Sequence, residues 1–265
     1  GITGYREMIH KQIQDKLKTH EILADLGVQT VYSSTGFSTL NEVINIAAQR
    51  GLSYIAITDY IDCSESNGDA LIKQKAHLMS LNRIKDPRIT VVSGAEIGFN
   101  KVAVHNSAGL PDVKWLIASD YSYTKRVFEV IKRSIESAVR LGIRAIGHPE
   151  QGLQYMVEGN QEQLTTQMRD YLDWLVDFCK LEKVYLGISE LSARDESLNT
   201  IQSYWMNYAA TNGNWVYLSS DARCCIDVGD FEKTTELVND VGITKNHILN
   251  CDAERLQKMF GGSYA

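Results

Sequence analysis

The stretch ILADLGVQTVYSSTGFSTLNEVINIAAQRGLSYIAITDY, residues 22–60, holds one full unit of an α/β fold. An apolar run at 22–26 leads through a Ser/Thr-rich loop to a segment at 39–50 with apolar residues three and four apart, and then to a second apolar run at 54–58. Strand-length runs alternating with helical periodicity mark βαβ units, whose helical crossovers make successive strands parallel. The same alternation continues down the chain. Further strands are expected at 89–93, 115–119, 143–147, 184–189 and 215–219, which makes seven. Helices are expected at 69–84, 125–141, 161–181 and 200–211, with 231–241 and 253–260 closing the series. The step 96–112 lacks a helical period and holds Gly98, Gly109 and Pro111, so a hairpin or loop is expected there.

Length and composition agree with one large domain. The chain has 265 residues, 44% of them hydrophobic and 23% charged, which excludes disordered and fibrous classes. Ahead of the first strand, Tyr5, Ile9, Ile13 and Leu17 recur every fourth residue. They predict an additional helix docked on the flank, so 1–20 reads as a helical appendage and 21–265 as the main domain. A net charge of −6, from 27 basic against 33 acidic residues, gives no footprint for nucleic acid. No run is apolar enough to span a bilayer, so no membrane partner is expected and the chain reads as cytoplasmic. Five scattered cysteines, Cys63, Cys179, Cys224, Cys225 and Cys251, lack CxxC spacing. They form neither a disulfide framework nor a zinc ribbon.

Each expected strand carries or is followed by an ionisable residue: Asp25, Asp59, Glu96, Asp120, His148, Glu190 and Asp221 in turn. In a parallel barrel all strand C-termini share one rim, where barrel enzymes keep their chemistry. Six carboxylates beside one histidine repel one another unless a cation or bound protons intervene. Of the remaining histidines, His10, His20, His77 and His247 read as surface or flank residues, whereas His105 follows the third strand and is placed to fold back toward the rim.

These residues resemble the PHP superfamily of metal-dependent phosphoesterases, named for polymerase and histidinol phosphatase. Residues 24–60 are similar to its opening motif, a strand ending in Asp-Leu-His-x-His, a loop, a helix and a strand ending in Thr-Asp-His. GAEIGF, IASDYS, AIGHPE and LSSDARC resemble the later motifs in order, and the likeness spans 22–260. It implies a distorted seven-stranded (β/α)7 TIM-like barrel, in agreement with the strand count. It also implies a rim cluster of three metal ions held mostly by histidines. Here the paired histidines of the first motif are Gly27 and Gln29, and Thr35, Tyr60, Tyr121 and Arg223 stand in the other histidine positions. Only Glu96, His148 and Asp221 keep a ligand type. By the resemblance, Glu96 and Asp221 belong to one metal and Glu96 and His148 to a second.

Two protein ligands are few for a zinc site, phenols are poor ligands near neutral pH, and a guanidinium brings a fixed charge into the metal's place. Arg223 is therefore expected to act as a replacement cation, within hydrogen-bond reach of Asp221 or Glu96. The expected function is that of a pseudoenzyme: no catalytic residue, no metal or other cofactor, and a rim pocket for a small anionic or phosphorylated molecule. Its expected lining is Asp25, Gln29, Asp59, Tyr60, Glu96, Tyr121, His148, Asp221 and Arg223. Two alternatives stand beside it. One is a histidinol-phosphatase-like hydrolase with a single Zn or Mn on Glu96 and His148, with Asp120 or Asp221 completing the set. The other is an interaction module with a vestigial pocket.

Overall fold

Seven strands form one parallel sheet in the order β1-β2-β3-β4-β5-β6-β7, an α/β TIM-like barrel that is nearly closed. They are β1 (Ala24–Val28), β2 (Tyr54–Ile57), β3 (Thr90–Gly98), β4 (Trp115–Ser119), β5 (Ala145–Ile146), β6 (Tyr185–Ser189) and β7 (Val216–Ser219). The computed structural model describes residues 1–14, 16–62, 68–99, 110–120, 127–153 and 164–262. Helices α1 (Ile2–Gln14), α2 (Leu40–Gln49), α3 (Gly68–Arg83), α4 (Phe128–Arg140), α5 (Pro149–Leu153), α6 (Thr166–Glu182), α7 (Glu190–Ala193), α8 (Asn199–Asn212), α9 (Glu232–Val241) and α10 (Ala253–Phe260) surround or cap it. Strands covered on both faces need continuous apolar runs, and β2, with Tyr54, Ile55, Ala56 and Ile57 all fully buried, shows why alternation is absent here.

Local chemistry sets the helix ends. Thr39 precedes α2 and its hydroxyl accepts from the Glu42 N–H, while the Glu42 carboxylate accepts from the Thr39 N–H at 2.6 Å, a reciprocal cap. β3 runs five residues beyond its expected end. The extension buries Ala95 and Ile97 and brings Glu96 to the upper end of the barrel. Residues 100–109, with His105, fall outside the described residues.

Large rings fill the lower barrel. Trp115 meets Tyr217 edge-on at 5.1 Å, Phe260 at 5.8 Å and Tyr185 at 6.1 Å, and its indole N–H donates to the Leu26 carbonyl at 2.9 Å. Edge-to-face packing suits the ring quadrupoles, and the polar indole edge finds a partner despite burial.

Between β1 and β7 the only backbone pairing is the isolated bridge of Val28 with Ala222, so side chains hold the remaining seam. The buried Asn250 accepts from the Leu218 N–H at 2.7 Å and donates to the Ala24 and Leu218 carbonyls at 2.7 and 2.9 Å. Higher up, the buried Asp25 carboxylate accepts from the Ser220 N–H at 3.0 Å, the Gly229 N–H at 2.9 Å and the Gly27 N–H at 3.3 Å. Asp25 was expected at the ligand pocket. Its oxygens are instead spent on backbone at the seam.

The N-terminal helix forms, but not in the docked pose the four-residue spacing predicts. Ile2 and Tyr5 are 76% and 62% exposed, and Ile9 is half-buried. Leu17, beyond the helix, is buried, and its backbone N–H and C=O bond the Asn239 side chain. The chain is thus anchored after the helix rather than along it.

Two predictions follow from the seam. Asn250→Ala strips partners from three buried backbone groups and is expected to lower the urea unfolding free energy by about 3 kcal/mol. Burial raises the Asp25 carboxyl to about 6, against the lowering effect of bonds from Ser220, Gly229 and Gly27. An acid with a raised folded pKa stabilises fully below its unfolded value and loses that contribution as pH rises through the folded one. Relative to Asp25→Asn, the native protein should therefore lose stability between about pH 4 and pH 6 and run parallel above that range. Parallel curves throughout would refute the assignment.

Candidate functional site at the barrel rim

A cavity of about 490 Å³ opens at the C-terminal end of the strands. Its wall includes Gln29, Tyr60, Glu96, His148, Asp221 and Arg223, six of the nine expected residues. Asp25 lies in the seam, Asp59 sits behind the wall, and Tyr121 falls outside the described residues.

His148 and Asp221, just after β5 and β7, hold left-handed backbone at φ 27° and 50°. Such conformations cost of order 1–3 kcal/mol in residues with side chains and gather at functional sites. Here they turn both side chains toward Glu96. His148 Nε2 meets Glu96 Oε1 at 2.8 Å, and the Ser119 hydroxyl donates to the same oxygen at 2.6 Å. Burial pulls the His148 imidazole down, but the charge and hydrogen bond of Glu96, with Asp221 and Glu150 nearby, outweigh it and raise the ring to about 9. The contact with Glu96 thus favours the charged form of His148 within the rim cluster. Asp221 accepts from the Ser219 hydroxyl at 2.5 Å and from that of Ser189. Burial and the Glu96 charge push Asp221 upward, opposed by His148 and the two serines.

Arg223 does not take the expected part. It is exposed at the mouth, its carbonyl accepts from the Phe37 N–H at 2.7 Å, and among the described residues its guanidinium pairs with neither Asp221 nor Glu96. The left-handed Asp221 breaks the extended alternation that would have put residues 221 and 223 on one face. One other acid, Glu190, leaves the rim for a structural task. Glu190 accepts from the Lys233 and Thr234 N–H groups at the start of α9 and pairs with Arg194. Asp120 packs against Gly152 of α5.

His77, expected on the surface, is directed inward. Its Nε2 lies 3.3 Å from Asp59, its side chain is 12% exposed, and its ring stacks on Tyr32 at 4.0 Å. Lys73 lies 5.5 Å from the Tyr32 ring centroid. Asp59 also accepts from Ser33 and from the Thr30 N–H and hydroxyl at 2.6 to 2.8 Å, which pins the 29–38 loop beside the cavity. Ala70, Lys73, Gln74 and His77 recur at helical spacing on α3. This largely polar stripe, with Ala70, Lys73 and Gln74 lining the cavity, was the available signal.

The donor set does not fit a metal cluster. A Cβ on Gly27 would stand 1.9 Å from Ser219 Oγ and 2.8 Å from Ser219 Cβ, so Ser219 fills the space that a side chain at position 27 would need. The Glu96 and Asp221 carboxylates are engaged by serine hydroxyls, and Glu96 also by the His148 ring. Among the described residues no group of three His, Cys, Asp or Glu side chains has the arrangement to hold a metal ion.

No protein-family model matches the chain, and no curated protein sequence does. Several solved structures share its fold, among them two histidinol phosphatases. One is the histidinol phosphate phosphatase of Lactococcus lactis subsp. lactis Il1403, complexed with zinc, L-histidinol and phosphate, at TM-score 0.56 and 15% identity over 83% of this chain and 94% of that one. The other is the putative histidinol phosphatase of Listeria monocytogenes, at TM-score 0.59 and 13% identity over 80% and 99%. At these identities the likeness is one of fold.

Filling the Gly27 position tests the close approach of Ser219. Gly27→Ala is expected to cost about 3 kcal/mol, and the added change Ser219→Gly should recover part of it. A double-mutant cycle by urea denaturation should give a coupling above about 1 kcal/mol. Additive losses would show that the Cβ is accommodated elsewhere.

Proposed function

We propose that this chain is a PHP-like barrel that has given up metal-dependent hydrolysis and binds a small anion, such as a phosphate monoester, at its rim without cleaving it. The observation that carries the reading is the serine in place of a metal ligand: Ser219 Oγ occupies the space a Gly27 side chain would need, and donates to Asp221. Phosphoester cleavage needs an activated water and a cation on the phosphoryl oxygens. Around Glu96 and Asp221, hydroxyl donors and the His148 imidazolium neutralise charge in place, and none of these groups generates hydroxide.

Anion binding is supported by the mouth. Arg223 and Lys73 bring fixed positive charge to the cavity wall, with the Ser34 hydroxyl beside them. The Thr35 hydroxyl donates to Gln29 Oε1 at 2.8 Å, which orders part of that loop. Guanidinium and hydroxyl groups together suit phosphate or carboxylate oxygens. The Lactococcus protein of the same fold is complexed with zinc, histidinol and phosphate, which supports a small phosphorylated ligand, and the ligand chemistry proposed here keeps only the anion.

Protein prepared with Zn and Mn supplied should retain under about a tenth of an equivalent of either, show no change in melting temperature with chelator, and fail to hydrolyse p-nitrophenyl phosphate. Inorganic phosphate or a sugar phosphate should raise the melting temperature, by about 2.7 kcal/mol of stabilisation at a hundredfold excess over Kd, and Arg223→Ala should abolish the rise. Stoichiometric metal with turnover would replace this reading by the reduced-site phosphoesterase. Silence toward every anion would favour an interaction module.

A further inference from the structure

Beyond the cavity, the loop after β7 carries adjacent thiols, Cys224 and Cys225, directly after Arg223. Both are half-exposed, whereas Cys179 is fully buried. Burial pushes the Cys179 thiol far up and the Cys251 thiol up to about 12, so neither supplies thiolate near neutral pH. Cys224 differs. The Ser38 hydroxyl lies 3.9 Å from its sulfur, and the Ile226 N–H and the Cys225 thiol lie near it. Those contacts, the Ile226 N–H foremost, lower its pKa despite the Asp227 charge nearby. The same Ser38 hydroxyl accepts from the Cys225 N–H at 2.8 Å, so one buried side chain braces both cysteines.

We infer that Cys224 and Cys225 form a reversible thiol-oxidation site that closes to a vicinal disulfide when a peroxide reaches the rim. The Cys224 thiolate attacks one peroxide oxygen, the O–O bond breaks, and the departing hydroxide takes up the proton that Cys224 released, leaving water and a sulfenic acid. Cys225 sulfur then attacks Cys224 sulfur, an S–S bond forms as the S–O bond breaks, and the second hydroxide leaves as water with the Cys225 proton. Two thiols lose two electrons and one peroxide gains them. Reversibility comes from geometry: Cα atoms of adjacent residues are about 3.8 Å apart, below the roughly 4.4–6.8 Å of ordinary disulfides. A strained disulfide is easily reduced, which suits a switch rather than a staple. The chemistry is independent of what the cavity binds.

The test uses the whole protein, exposed to hydrogen peroxide, alkylated and cleaved after Arg223 and Lys233, so that one peptide holds both thiols and no other cysteine. The expected peptide is lighter by two hydrogens and free of alkyl label, and dithiothreitol restores two labels. Cys225→Ser should halt at a Cys224 sulfenic acid trapped by dimedone, while Cys224→Ser should leave Cys225 open to alkylation at the same dose. Retention of both labels at a dose that oxidises glutathione would overturn the inference. So would a sulfinic Cys224 beside an alkylated Cys225, or a Cys224 disulfide with Cys63 instead.

Discussion

A seven-stranded barrel has one seam its sheet does not close, and in this protein two buried side chains close it. Asn250 supplies the acceptor and the donors that a neighbouring strand would have given to Leu218 and Ala24, and Asp25 gathers N–H groups from Ser220, Gly229 and Gly27. The seam also sets the rim. Immediately above it, the Gln29 N–H donates to the Ala222 carbonyl and the Phe37 N–H to that of Arg223, so the loop after β1 and the loop after β7 are positioned against each other. Gly27, Ser219 and Asp221 meet where that junction is tightest.

The crowded acids of the rim are settled by small means. His148, raised by Glu96, carries the balancing charge, and Ser119, Ser189 and Ser219 solvate the carboxylates from within. Hydroxyls can donate to an anion at short range without bringing the desolvation penalty of a further buried charge. That leaves the fixed cations, Lys73 and Arg223, at the cavity wall rather than buried against carboxylates, and so able to meet a ligand's charge.

Much of this was legible in the residues themselves. All seven strands were found, since covered parallel strands write themselves as apolar runs, and the upper ends of β3, β5 and β7 delivered Glu96, His148 and Asp221 together. Direction was harder to read than position. Asp25 and Glu190 occupy places that suggest a rim, yet each turns to backbone N–H groups of another element, a pairing between residues 195 and 43 or more positions apart that no local pattern encodes. Arg223 was misjudged for the opposite reason: a single left-handed residue, Asp221, reverses which way its neighbours face, and an aspartate does not advertise that conformation as a glycine would. His77 was legible only as a break in an apolar stripe, and the exposed N-terminal helix shows that regular spacing alone does not guarantee a surface to cover it.

The ring cluster under the rim has a consequence for traffic. With Trp115, Tyr217, Tyr185 and Phe260 wedged across the barrel's interior, the cavity stands on a floor of packed rings. A guest that settles on that floor finds no onward passage through it to the far end of the barrel.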